Sequence, residues 1–554
     1  METTSINQVT TPMKLRIDLQ LISTLCGSIL FSYLFWMEKQ ALNLLIYSLF
    51  ILVIILLDLE KRKNKKLYFS CGAHLLAAIL VVINQSILTI ITSYISLTIM
   101  VGFVHFQLLR SVFTSLLAAS LQFITAPLNL VKKMMTPYFK DFSFKPVFQI
   151  IKYIFIPFIA LLFFSVLYSA NPIFSTYMNQ ITSNIGDLID TVFYFFFDDL
   201  SFLRLMHLIL GMLITAAVFI SLKGINLERF EASFSEQLIR KRRDQKNNSF
   251  VHEIIAVFVG SILKRTMALK TENIIGILSF LVLNLLLLSL NVIDISTLWL
   301  GKDESLNSAS YSAELHDGTN ALILSIIMAM LVILYFFRGN LNFYQKNKTI
   351  RVLAYLWIAQ NIFLISSVLI RDFNYINALG LTYKRIGVLI FLLLCTIGLI
   401  TVYLKVAKQK TLFYLCKVNG FVWYVLLLAF GFVNWDVSIV RYNINNRNTT
   451  TLDPDHLLSF SDKTLPLLIE NKQLLTKHLH NSSYAYEMVY DTTTHRHIRK
   501  DNTDVEQLKR FEKDLNQRIN NFKETYNQTT WRSWNYRDWQ TQQYLVKNRL
   551  SQKI

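Results

Sequence analysis

Cysteine is scarce in this 554-residue chain: Cys26, Cys71, Cys395 and Cys416 lie in or beside apolar stretches, without C-x-x-C spacing. That excludes a disulfide scaffold and a zinc ribbon. Charge is sparse too, at 16% of residues, against roughly a quarter in an ordinary soluble domain. No glycine-rich nucleotide loop, catalytic triad or metal-ligand signature appears. No carboxylate occupies the centre of a long apolar block, which disfavours ion-coupled transport through a carboxylate relay.

What is abundant is apolar. The chain is 53% hydrophobic, with 41 Phe, 25 Tyr and a mean hydropathy of +0.40. Such a composition, gathered into long blocks, is that of a multi-pass membrane protein. About eleven blocks approach the roughly 20 apolar residues a spanning helix needs. They cover residues 18–36, 41–58, 67–84, 87–107, 147–169, 202–221, 273–295, 320–337, 351–370, 386–404 and 418–438. The first block lacks an A-x-A cleavage site and reads as a retained helix.

The net charge of +19 takes its meaning from where the cations fall. With eleven spans, one set of connections holds roughly 30 Lys and Arg and the opposite set about five. This asymmetry places the N-terminus in the cytoplasm and the C-terminal tail on the extracytoplasmic side. It assigns the positive charge to topology and anionic headgroups rather than to nucleic acid. Residues 111–131, ending in Pro127, Lys132 and Lys133, suit a helix lying on the cytoplasmic surface. Residues 173–197 have helical apolar spacing and read as an amphipathic helix packed on the bundle.

Beyond about residue 440 the chain turns polar for long enough to build a small helical domain. Pro454 and Pro466 stand where helices can begin. Thr503 and Glu506 have capping-box spacing ahead of Val505, Leu508, Phe511, Leu515, Ile519 and Phe522. The run Trp531, Trp534, Tyr536, Trp539 and Tyr544 reads as a packing stripe closing this domain, with headgroup anchoring as the alternative. The pairs His478/His480 and His495/His497 lack supporting ligands, so no metal site and no cofactor is expected. Inside the spans His74, His105, His207, Asn284, Gln360 and Asn361 read as interhelical hydrogen-bonding groups.

The loop at 371–385 carries Arg371, Lys384 and Arg385 on the sparsely charged side. If Thr382 caps the following helix, Lys384 and Arg385 enter its first turn, where the macrodipole disfavours cations. Compensation is expected from a carboxylate such as Asp187, Asp190, Asp198, Asp199, Asp294, Asp317 or Asp436, or from an anionic ligand or lipid headgroup. Asp436 and Arg441, on a helical continuation of the last span, are expected to pair.

Four runs carry a family resemblance: ANPIF at 170–174, GLTYKRIGV at 380–388, NWDVSIVRYNI at 434–444 and LDPDHLLSFSDKTLPLLI at 452–469. Together they resemble the bacterial multi-pass family known as domain of unknown function 4173, related to domain of unknown function 4153. The resemblance covers about residues 150–475 and implies a bacterial inner-membrane protein, with no activity to carry over. It singles out Asn171, Pro172, Gly380, Thr382, Arg385, Asn434, Asp436, Arg441, Tyr442 and Asn443. Of these, Asn171, Thr382, Arg385, Asp436, Arg441, Tyr442 and Asn443 form the candidate ligand-binding set.

The expected architecture is an all-α polytopic transmembrane bundle with an extracytoplasmic α-helical C-terminal domain. It divides into an N-terminal membrane region at 1–146, a core of about seven spans at 147–440 and the tail at 441–554. The expected function is non-enzymatic: an envelope sensor or assembly factor whose outer face binds a ligand, a lipid headgroup or an envelope protein. A passive or lipid-handling transporter is the alternative. A membrane-embedded transferase is the second, weakened because the first external loop offers only Glu38 as a carboxylate.

Overall fold

The computed structural model describes residues 19–57, 65–135, 168–196, 201–220, 227–240, 269–300, 308–446, 452–491 and 496–548, with isolated positions between 153 and 166. Helices stand at every predicted block except 147–169, which lies largely outside the described residues, as do Asp198, Asp199 and His495. The membrane helices are α1 (Leu19–Phe35), α2 (Leu42–Leu57), α3 (Lys65–Asn84), α4 (Ile87–His105), α5 (Val112–Met135), α6 (Pro172–Phe196) and α7 (Phe202–Phe219). After a short α8 (Leu227–Ala232) come α9 (Leu269–Asp294), α10 (Ser308–Phe336), α11 (Lys348–Leu379), α12 (Tyr383–Ala407) and α13 (Leu412–Gly431). Among the described residues, eight helices are long and apolar enough to cross a membrane, while α1, α2 and the apolar part of α10 are shorter. The protein is an all-α multi-pass membrane protein.

Two packing groups are interleaved along the chain. In the first, α7 packs against α1 and α5, and α13 against α3, α4 and α5. Close approach of α1 and α7 depends on glycine: a Cβ at Gly27 would stand 2.4 Å from Thr215, and one at Gly211 2.7 Å from Phe31. The second group, α9 to α12, surrounds Phe280, Phe337, Ile350, Leu364 and Leu399. Asn284 and Gln360 join α9 to α11 by a 3.1 Å hydrogen bond, as expected of polar residues in spans.

Helix α5 crosses the ends of its neighbours. Its Ser115 donates to Ile99 O near the end of α4, Gln122 to Ile220 O beyond α7, and Lys133 to Gln20 at the start of α1. These ends share one face, because His105 of α4 meets Ala217 O of α7. Length and composition count this helix among the eight able to cross a membrane, while these contacts run across the ends of α4, α7 and α1 as the surface-lying expectation has it. Helix α6 forms as expected, but its apolar residues Ile173, Tyr177, Ile181 and Ile185 are exposed. That corrects the expectation for these four side chains, which the bundle does not cover, although α6 touches α7.

The tail begins as α14 (Trp435–Asn445), followed by α15 (Pro454–Leu458), α16 (Leu465–Glu470) and α17 (Lys472–Thr476). A hairpin of β1 (Tyr486–Asp491) and β2 (Arg496–Asp501) precedes α18 (Asp504–Gln528) and α19 (Tyr536–Lys547). The hairpin is an addition to the helical tail expected. Pro454 and Pro466 do stand in first turns, and the Thr503–Glu506 capping box closes on both sides. Phe511, Leu515, Ile519 and Phe522 of α18 pack onto Leu465, Leu468, Leu475 and Leu545. Val505 and Leu508 remain exposed.

Candidate functional site

Thr382 caps α12 as its sequence position implies, accepting from the Arg385 amide. That does place Arg385 in an unfavourable first turn, yet its hydrogen-bond partners are not carboxylates, although the buried Asp372 of α11 interacts with its charge. The Arg385 guanidinium, in a residue 9% exposed, folds back to donate to Leu379 O at 2.9 Å and to Gly380 O, and lies 4.1 Å over the Tyr375 ring. Those carbonyls are the C-terminus of α11, the negative end of a helix dipole, so one macrodipole offsets the other. Asp294 is taken by Arg371 instead.

The other motif residues assemble around the same turn. Gly380 has φ +81°, open to glycine at little cost, and a Cβ there would meet Asn443 Oδ1 at 2.7 Å. Asn443 clamps Leu381 from both sides, accepting from its amide at 2.6 Å and donating to its carbonyl at 3.0 Å. Asn434 caps α14, and Tyr442 reaches Asn377 at 3.4 Å. Asp436 accepts from the hydroxyls of Tyr383 and Ser461. The expected Asp436–Arg441 pair is absent, because five residues along a helix turn the side chains about 140° apart. Arg441 is exposed. Asn171 caps its own helix through the amides of Ile173 and Phe174 and joins none of these contacts among the described residues.

The tail is seated on loops of the membrane domain by cations that reach helix C-termini. Lys463 donates to Asn84 O at 2.6 Å and Gln85 O at 2.8 Å, beyond α3. Arg532 donates to Tyr33 O at 2.6 Å in α1 and bridges Glu38 at 2.7 Å. Ser533 adds a 2.5 Å bond to Glu38, Asn535 a 2.9 Å bond to Gln85, and Leu42 N a 3.2 Å bond to Trp534 O. Asn84 also donates to Gly431 O at 2.7 Å, tying the end of α13 to the same seam. This favours cations where carbonyls end uncapped. Trp531, Trp534, Tyr536 and Trp539 are 36–54% exposed. Tyr544, the fifth of the run, packs on the tail core as expected; for the other four the packing-stripe expectation is corrected, because the backbone is held by the seam and the rings stand beside the ends of α1 and α2.

Glu38 stands where this seam meets a cavity. Its side chain is 8% exposed. A space of about 310 Å³ opens beside it between α1, α2, α3, α4 and α7, lined by Phe31, Tyr47, His74, Ser93, Tyr94 and His207 among others. The fully buried His74 has the Ser93 backbone of α4 as its polar neighbour and no side-chain partner. His207 stacks on Phe31 at 4.9 Å and leaves Nδ1 buried and unpaired. Of the expected interhelical bonds, His74 has only its contact to the Ser93 backbone of α4 and His207 makes none through Nδ1, whereas His105 bonds Ala217 O of α7. A mostly apolar pocket with a few converging polar groups is the usual form of a small-molecule site. Sequence reading missed Glu38, Arg532 and Lys463 as partners; the available signal was a lone carboxylate in a very short loop between spans.

Among the described residues no group of three or more His, Cys, Asp or Glu is placed to hold a metal ion. His478 and His480 lie with ring centroids 6.3 Å apart.

The fold defines a polytopic membrane protein whose polar tail is docked on one face of the bundle. Residues 25–471 match the family model described as Domain of unknown function (DUF4153), and the chain belongs to that family. It is the relative of the family that the motifs resemble. The match takes in the Gly380–Asn443 turn, Lys463 and the cavity, and stops before α18 and α19. No curated protein and no solved structure matches the chain.

Proposed function

We propose that the chain is a non-enzymatic sensor or assembly factor of the bacterial inner membrane, with its N-terminus in the cytoplasm and its tail outside. Its cavity takes a small amphipathic molecule, or the head of a lipid, and the tail passes occupancy to envelope partners. The observation that carries this reading is Glu38, shared between the cavity wall and the Arg532–Ser533 contact of the tail. A ligand that hydrogen-bonds Glu38 competes with that contact and so shifts the tail between seated and released states, which is what coupling between two sites requires. The charge asymmetry of the connections supports the orientation. Exposed Arg441 and Lys384 offer the tail side an anion-attracting surface for a partner.

The test is complementation of a deletion strain under envelope stress. Leu210→Trp fills the cavity from a half-exposed, lipid-side position. It is expected to accumulate like the wild type and to fail to complement. Full complementation by this variant, or robust lipid or solute flux by the purified protein in liposomes, overturns the proposal.

A further inference from the structure

The opposite, basic face of the bundle has a second cavity, of about 450 Å³, between α3, α4 and α13 and walled by the start of α5. Its charged lining residues are all cations: Lys65 and Lys66 at the start of α3, Arg110 before α5 and Lys417 in α13. Lys66 is held by Leu109 O at 2.6 Å. Lys417 is bridged to Glu236 at 2.6 Å, and Arg110 donates to Glu231 O at 2.8 Å and Phe234 O at 2.7 Å and approaches the Glu231 carboxylate at 3.9 Å; neither carboxylate lines the cavity. Lys65 is exposed.

From these cations the cavity runs inward along apolar residues. Ile99, Phe103 and Val112 form buried walls, and Tyr424, fixed by a 2.6 Å bond to Ser96, closes the floor. From Lys417 to Tyr424 the helix rises by about 10 Å. Phe69 and Phe421, with ring centroids 5.8 Å apart, are about half exposed and form the rim. A cationic mouth at the surface level and an apolar slot descending into the span fit one kind of occupant, with a negative head and a hydrocarbon chain.

We propose that this cavity binds an anionic phospholipid, its phosphate among Lys65, Lys66, Arg110 and Lys417 and one acyl chain in the slot. Basic pockets between helix ends recognise such headgroups by charge, and the desolvated slot adds apolar burial. The site is separate from the cavity at Glu38 and stands whether or not the sensing proposal does.

Native mass spectrometry of the purified full chain, titrated with phosphatidylglycerol or phosphatidylcholine, tests it. The expected result is about tenfold stronger retention of phosphatidylglycerol. The double variant Lys65→Glu with Lys417→Glu should lower that retention to the phosphatidylcholine level. Val418→Phe, which narrows the slot and leaves the charges in place, should weaken retention at least fivefold in protein of unchanged monodispersity. Equal retention of the two lipids, selectivity unaffected by charge reversal, or complete displacement by equimolar glycerol phosphate overturns the proposal; the last outcome means that a headgroup suffices without a chain.

Discussion

Replacing Arg532 by alanine removes the one cation that the tail presents to Glu38. The carboxylate keeps its bond from Ser533 but loses its counter-charge, and Tyr33 O loses a donor. Breaking a buried pair costs about 3–5 kcal/mol, and the 23% exposure of the Arg532 side chain together with the surviving Ser533 bond lowers this to about 2–3 kcal/mol. Local opening of the seam should then rise roughly 30- to 150-fold. Amide hydrogen exchange of residues 531–545 in detergent reads that opening directly. In a Glu38→Gln background no buried charge is stranded, so Arg532→Ala should cost only about 1 kcal/mol, giving a coupling of about 1–2 kcal/mol. If the two substitutions add to within about 0.5 kcal/mol, or if exchange in residues 531–545 does not change, the seam is not held as described.

Three further outcomes follow from other parts of the structure. Gly380→Ala forces a Cβ into a φ of +81° and against Asn443, and should cost about 1–3 kcal/mol in thermal melts, less when Asn443 is already alanine. Burial holds the His456 imidazole below its ordinary pKa, with Asp453 opposing and Arg385 adding to the depression. The unfolded chain therefore binds the extra proton first, and tail stability should fall as pH drops below about 6.5, with His456→Phe flattening that slope and the similarly depressed His478 supplying the remainder. Thr503→Ala opens the capping box on α18 and should destabilise the tail by about 1 kcal/mol, without changing the Glu38 seam in cross-linking.

The spans were legible because apolar block length is set by bilayer thickness, and the caps at Thr382 and Thr503 because they are local to their helices. The seam was not legible, since Arg532 and Tyr33 are 499 residues apart and nothing near either one marks the other. Arg385 was recognised as a cation needing compensation, but its hydrogen-bond partners are backbone carbonyls, which have no signature in sequence, and the carboxylate that interacts with it is Asp372 of the preceding helix. The hairpin was missed because its strands, YEMVYD and RHIRKD, are polar and charged and lack a glycine or asparagine turn between them. The tryptophans were read as packing because an amphipathic aromatic stripe has the same spacing whether it faces a core or a headgroup layer.

The claim on which the rest depends is that the tail is seated on the loops after α1 and α3. Paired cysteines bridged by a short bis-maleimide in native membranes test it most directly. Lys39→Cys with Ser533→Cys, and Gln85→Cys with Lys463→Cys, span contacts of 3.0 Å and 2.8 Å. Lys472→Cys with Glu512→Cys, across a 2.6 Å ion pair within the tail, is the control. The expected result is linkage of all three pairs, each read as a joined peptide after digestion. Linkage of the control alone, with both seam pairs labelled but unjoined, would contradict the docked tail and the coupling built on it.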